Sequence, residues 1–202
     1  MRAQKLLNNF RKEVSNMLNL SDEEWYIMSK DIEIVDVIKN QSLLEIGQIA
    51  DSLYIIADGY FQLYHIVNKK EFTISFSSKF ASITALESFI DRTPSKLGIK
   101  AITDGIVFKI SHKDLYTSYE NHHISERIGR VMTDISLQEK FRVEHQRNTL
   151  SSKERYLNLI KEHPKLVSSL KQKQIASYIG ITPESLCRIK KVNFIDTNET
   201  NN

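Results

Sequence analysis

Residues 172–191 read QKQIASYIGITPESLCRIKK, and their spacing predicts two short helices joined by a glycine-broken turn. Ile175, Ala176 and Ile179 recur at i, i+1 and i+4, the pattern of one apolar helix face. Gly180 is expected to supply a turn where a Cβ would be crowded. Thr182 before Pro183 is a helix start, an N-cap oxygen followed by a proline at the first helical position, where no N–H is needed. The second helix should bury Leu186 and Ile189 on the first, and Ala176 has to be small because the two helices approach closely there. Glu184 and Arg188, four apart, then share the opposite face. Arginine can bond guanine O6 and N7 together, and a carboxylate can accept from cytosine N4. Taken alone, the pair is equally an ordinary contact on a solvated helix, worth roughly 0.2–0.5 kcal/mol. The whole pattern from Gln172 to Ile189 favours a helix-turn-helix, the layout that sets one helix in the major groove of DNA.

Charge follows the motif. Between His145 and Lys191 ten basic residues stand against three acidic ones, +7 in a chain whose formal total is +3. A basic segment coinciding with a helix-turn-helix is the footprint of a polyanion, here double-stranded DNA. Thr182, Ser185, Lys190 and Lys191 are placed to contact phosphates and fix register. With 202 residues, a sizeable N-terminal domain is left to explain, since a helix-turn-helix unit needs only about 50 to 60.

Composition is that of a soluble globular protein. No apolar run approaches about 18 residues, so neither a transmembrane helix nor a membrane partner is expected. The start, MRAQKLLNNFRKEV, is an amphipathic helical pattern without the apolar core of a secretory signal, and a cytoplasmic location is expected. The single Cys187 cannot form an intrachain disulfide. It reads as a small side chain near the DNA backbone or as a redox-sensing thiol. No nucleophile elbow, P-loop or dinucleotide fingerprint occurs, so an enzyme is not expected.

From about Ile32 to Ile110 the chain changes character. The runs IEIVDVI, SLLEI, SLYIIADGYFQLYHIV, EFTISF, KLGIKAI and GIVFKIS are rich in β-branched and aromatic residues and are separated by turn signals, Asp58-Gly59 the clearest. Many short strands imply an antiparallel sandwich or barrel. Leu53, Tyr54, Ile55, Ile56, Gly59, Leu63 and Tyr64 also form the pattern LYxIxxGxxxLY, which resembles the signature of cyclic-nucleotide-binding β-rolls. Together with the C-terminal motif, it makes the chain resemble the Crp/Fnr family of bacterial transcription regulators, from about residue 10 to residue 191. The resemblance implies an α+β chain: an N-terminal antiparallel β-roll, or double-stranded jelly roll, as sensor (1–120), a dimerisation helix (121–148) and a helix-turn-helix domain (149–202). It further implies a pseudo-palindromic site with a TGA-like half-site core, and RNA polymerase as a further candidate partner. Against the wing that commonly follows the recognition helix in that family, a reduced or absent one is expected over Val192 to Asn202.

Past the β-region, a short helix is expected over Ser111 to Glu120 and a long one from about His122 to Asn148. Ile124, Ile128, Val131 and Ile135 recur at four, three and four, a seam that fits a second copy of the helix. The competing assignment packs this helix on its own β-roll through Met132, Leu137 and Phe141. Ser151-Ser152-Lys153-Glu154 is a capping box that opens a fresh helix, stopped by His163-Pro164.

In family members that bind cyclic AMP, a Gly-Glu pair supplies backbone amides and a carboxylate for the ribose, and an Arg-Ser-Ala run faces the phosphate. The corresponding stretch here, Ser77 to Ala101, has no Gly-Glu pair and carries Pro94-Ser95-Lys96-Leu97 where the arginine run belongs. Exchanging a guanidinium fork for a flexible lysine is not conservative, so cyclic AMP in its usual mode is not expected. Lys79, Arg92 and Lys96 stand as candidates to meet another anion from an unknown effector. Alternatively, Phe80, Leu86 and Phe89 fill the pocket and nothing binds. No cofactor is assigned. Gly59 and His65 match the start of a cupin metal motif, but Val67 stands where its second histidine belongs. His122 and His123 point about 100° apart on a helix, so no metal is expected.

Two functional readings follow. The first is a homodimeric, sequence-specific transcription regulator that reads DNA through the helix starting at Thr182. The second is a β-roll ligand-binding or protein-interaction module whose DNA-binding domain is degenerate.

Overall fold

Helices occupy both ends of the chain and strands its middle in the computed structural model, which describes residues 2–199. The amphipathic start forms α1 (Arg2–Leu18), which buries Phe10, Val14 and Leu18, four apart, on one face. A short α2 (Asp22–Ser29) opens on a capping box: Ser21 Oγ accepts the Glu24 N–H, and the Glu24 carboxylate accepts the Ser21 N–H.

The strands are β1 (Glu33–Val37), β2 (Ser42–Leu44), β3 (Ser52–Asp58), β4 (Phe61–Val67), β5 (Lys70–Ser77), β6 (Ser82–Ile83), β7 (Gly98–Ala101) and β8 (Gly105–Ser111). They pair antiparallel in two four-stranded sheets, β1-β8-β3-β6 and β2-β7-β4-β5. Ile56, Phe61, Ile99 and Val107 fill the space between the sheets. The alternate residues Ile55, Ala57 and Phe108 point outward into a second core with Phe10 and Ile128. Both faces of β3 and β8 are therefore covered, which is why those strands read as nearly continuous apolar runs. Between β3 and β4 the chain reverses at Gly59, whose φ is +90°; a Cβ there would lie 2.8 Å from the Asp104 carbonyl oxygen. Only glycine fits.

A short α3 (Leu86–Asp91) links β6 to β7, and α4 (His112–Asn121) follows β8, capped by Ser111. The long α5 (His123–Thr149) runs past the roll. Ile128 is buried against its own roll, with Ile124, Val131 and Met132 packed beside it. Of the expected intermolecular seam, only Ile135 is exposed. Leu137 and Phe141, the alternative inward-facing residues, are exposed as well, and every residue from 133 to 142 faces solvent. That stretch touches the rest of the described chain at few points, Ser82 Oγ lying 3.4 Å from Ser136 Oγ and Arg142 pairing with Glu162 at 3.0 Å, while Ile135, Leu137 and Phe141 stay exposed.

The Ser151 capping box opens α6 (Ser152–Glu162), and α7 (Pro164–Ser169) starts on its proline, so the spacer from Lys165 to Leu170 is largely helical. Then come α8 (Gln172–Ile179) and α9 (Pro183–Glu199). Tyr156, Leu159, Ile175, Ala176, Ile179 and Leu186 make a third core. Among the described residues no strand follows α9, which continues through most of the segment expected to replace a wing; residues 200–202 lie outside the described residues. Also among the described residues, no helix is long and apolar enough to cross a membrane.

Candidate nucleic-acid interface

Local chemistry builds the helix-turn-helix. Gly180 ends α8 with φ +76°, and the N–H of Ile181 returns to the Ala176 carbonyl at 2.9 Å. This is the left-handed helix cap that glycine favours. Contrary to the sequence expectation, nothing lies within 4 Å of where a Gly180 Cβ would sit. The glycine is required by its backbone angle, not by crowding. Thr182 Oγ1 accepts the Ser185 N–H at 3.2 Å and so caps α9. Ala176 and Leu186 meet with no exposed surface, and Ile189 packs beside them.

The opposite face of α9 presents Glu184, Cys187, Arg188 and Lys191 to solvent. Glu184 is held below the ordinary carboxylate value by its own backbone N–H, with the Thr182 hydroxyl next and Arg188 contributing least. A carboxylate in the first turn of a helix also meets the positive end of its dipole. Ser185 is half-buried, its Oγ 3.2 Å from Thr182 Oγ1. Lys190 lies over the Tyr156 ring at 5.9 Å, so its stem is used in packing.

Two of the ten cations counted in the basic segment are committed elsewhere. Arg155 donates to the carbonyls of Ile179 at 3.1 Å and of Arg147 and Leu150. Arg147 donates to Ile74 and Tyr178 carbonyls, each at 3.3 Å. Arg155 ties α5, α6 and α8 together, and Arg147, though exposed, bridges α5 to β5 and α8.

Sequence reading missed a polar seam between α8 and the roll. Gln174 Nε2 donates to Gln62 Oε1 at 2.9 Å, and Gln62 Nε2 donates to Thr73 Oγ1 at 2.7 Å and Glu71 Oε1 at 3.1 Å. The Thr73 N–H donates to Ser177 Oγ at 2.8 Å, and Phe76 packs on Tyr178 with ring centroids 5.1 Å apart. Burial pushes the Tyr178 phenol up. Glu71 is further paired with Lys100.

The three candidate anion-binding residues are dispersed over separate partners. Lys79 lies over Phe80 at 4.7 Å. Arg92 pairs with Asp51 and donates to the Ala50 carbonyl at 2.8 Å. Lys96 stands 3.6 Å from Glu87, both exposed. A cavity of about 250 Å³ beside α3 includes Lys96 but neither of the others. The aromatic filling is divided too: Phe80 packs on Phe10, Phe89 lies in the roll core and Leu86 is exposed. Among the described residues no group of three or more His, Cys, Asp or Glu could hold a metal ion; His65 packs on Phe72.

Residues 34–122 match the cyclic nucleotide-binding domain family. None of the curated proteins compared matches the chain. Among solved structures, FixK2 from Bradyrhizobium japonicum is similar over 82% of this chain and 86% of its own, at 14% identity and a TM-score of 0.68. A Crp/Fnr-family protein from Eubacterium rectale covers 88% of this chain and 85% of its own, at 12% identity and a TM-score of 0.69. The c-di-GMP-responsive global regulator CLP of Xanthomonas campestris covers 88% and 93%, at 13% identity and a TM-score of 0.65. Residues 34–122 thus match the cyclic nucleotide-binding domain family, and the chain as a whole shares the fold of the Crp/Fnr-family protein from Eubacterium rectale.

Proposed function

We propose that this chain is a homodimeric, sequence-specific transcription regulator that reads a pseudo-palindromic site through α9. The observation that carries this reading is the pairing of α8 and α9, buried on one side through Ala176 and Leu186 while Glu184, Arg188 and Lys191 are exposed on the other. Arg188 reads guanine and Glu184 the paired or neighbouring cytosine. Thr182, Ser185, Lys190 and Lys191 bind phosphates, Lys190 the least freely because of Tyr156. The exposed middle of α5, with Ile135, Leu137 and Phe141, is where a second copy packs. Domain boundaries at 120 and 148 serve this division into sensor, dimer helix and reader.

Selection of bound sequences from random DNA by the purified chain tests DNA binding, dimeric spacing and base preference together. The expected product is a two-fold symmetric site with half-sites about one helical turn apart. Recovery of unenriched DNA would sink the proposal. The second reading, an interaction module with a degenerate reader, draws on the packing of α8 against the roll. A shallow salt dependence without sequence preference would favour it; a steep slope with preference favours the regulator.

A further inference from the structure

A cleft of about 380 Å³ opens between α3, α4 and one face of α5, above the outer surface of β3 and β8. That volume lies within the range of small-molecule sites, about 300–1,000 Å³. Its floor is Ile55 and Ile110, and its walls include Phe89, Ile128 and Met132. No charged side chain lines it among the described residues. An ionised phosphate or carboxylate buried here would lose its water without gaining a partner.

The polar groups present are hydroxyls. Ser118 and Ser125 lie 2.7 Å apart, Ser82 and Ser136 3.4 Å apart, each pair able to turn a proton or a lone pair toward a ligand. Tyr119 joins them; burial pushes its phenol up, so it keeps its proton. The phenol lies against Gly129 so closely that a Cβ there would overlap it. Apolar walls with a few hydroxyls suit an uncharged guest that carries a single polar group.

On α5 the lining residues Ser125, Ile128, Met132 and Ser136 recur at three, four and four, one face of a helix. A guest would therefore touch α5 over three turns. Leu137 and Phe141 lie about 100° and about 140° round the helix from Ser136, and Ile135 about 100° the other way, so a helix packing on those three lies on the far side of α5 and leaves the cleft open. We propose that this cleft binds a small, uncharged, mainly apolar molecule bearing a hydroxyl or carbonyl group, seated against α5.

Titration of the purified full chain with N-phenyl-1-naphthylamine, an uncharged apolar fluorophore, tests the site without DNA. The expected result is saturable binding of one probe per chain, displaced by 1-decanol. Decanoate, the same chain with an ionised end, should need about tenfold more, and cyclic AMP should displace nothing. Ser136→Trp at the exposed mouth and Gly129→Ala, which drives Tyr119 inward, should each weaken the probe about tenfold with an unchanged circular dichroism spectrum. Ser136→Trp keeps the test decisive if Gly129→Ala does not fold. Absence of saturable binding, equal binding by Ser136→Trp, or equal displacement by decanoate and decanol would overturn the proposal. Loss of probe as the protein concentration rises would assign the cleft to a second copy and overturn it too. None of these outcomes bears on DNA reading, which a separate selection measures.

Discussion

Gln174 and Gln62, 112 positions apart, share a hydrogen bond of 2.9 Å, and both side chains are buried. The bond joins the first helix of the helix-turn-helix to the β-roll. Removing one partner leaves the other buried and unsatisfied, at a cost of about 1–3 kcal/mol, whereas replacing both by apolar groups can come close to neutral. Gln174→Leu should therefore lower stability by about that amount, and Gln62→Leu with Gln174→Leu should lose less than the sum of the single changes. Urea unfolding midpoints of the four proteins check this. Additive losses would mean that the two side chains are not coupled.

Arg188→Ala should cost on the order of 1–3 kcal/mol of DNA binding and relax specificity at one base. Lys191→Ala should weaken all DNA about equally and reduce the salt slope by about 1. Arg155→Ala should leave the salt slope unchanged, because its guanidinium is spent on backbone carbonyls, and should instead lower the melting temperature. Gel-shift titrations at several salt concentrations separate the three. An Arg188→Ala protein indistinguishable from the parent on its best site would remove Arg188 as a base reader.

Leu137 and Phe141 are exposed one turn apart on α5, whereas Ile128 is buried against the roll. Charging the first pair, Leu137→Glu with Phe141→Glu, should weaken self-association about tenfold or more, or about 1.4 kcal/mol. Ile128→Glu should instead unfold the roll, since an unpaired charge would enter an apolar core. Sedimentation equilibrium and thermal melts distinguish the effects. Wild-type association in the double variant would place the dimer contact elsewhere.

His112 stacks on Tyr116 at 4.3 Å and meets Phe89 edge-on at 4.9 Å. Burial, and next Arg92, hold its imidazole below the ordinary value, with Asp51 opposing. The folded state therefore favours the neutral ring. Its contribution is present above the ordinary pKa, about 6.5, and is lost as the pH falls through the lowered value. The melting temperature should fall as the pH drops below about 6.5, and His112→Phe should flatten that drop. Parallel curves for the two proteins would show that another group titrates.

The helix-turn-helix was legible because its signals are local. Thr182 and Pro183 set the start of α9, the period of Ile175, Ala176 and Ile179 sets its packing, and Gly180 marks the turn. Gly180 was placed correctly for the wrong reason, since positive φ and steric crowding leave the same residue in a sequence. The roll was legible from β-rich runs between turns, but β6, two residues long, and α3 carry no period of their own and are held by distant neighbours. For α5, periodicity identified apolar positions without saying what covers them; Ile128 went to the roll, and Leu137 and Phe141 stayed outside. Charge counting could not reveal that Arg147 and Arg155 are consumed by carbonyls. Lys79, Arg92 and Lys96 were grouped by nearness in sequence, yet each has its own partner in the fold. The uncharged cleft draws its walls from eight elements, and no sequence segment announces it.

The docking of α8 has a consequence for solubility. β5 is the last strand of its sheet, and two of its backbone groups, the Thr73 N–H and the Ile74 carbonyl, are taken by Ser177 and Arg147. Bare strand edges recruit other chains. A motion that lifts α8 away hands the Thr73 N–H to water or to a neighbouring molecule, while Arg147 on α5 still holds the Ile74 carbonyl, so the edge is guarded by two elements that must both leave before it is bare.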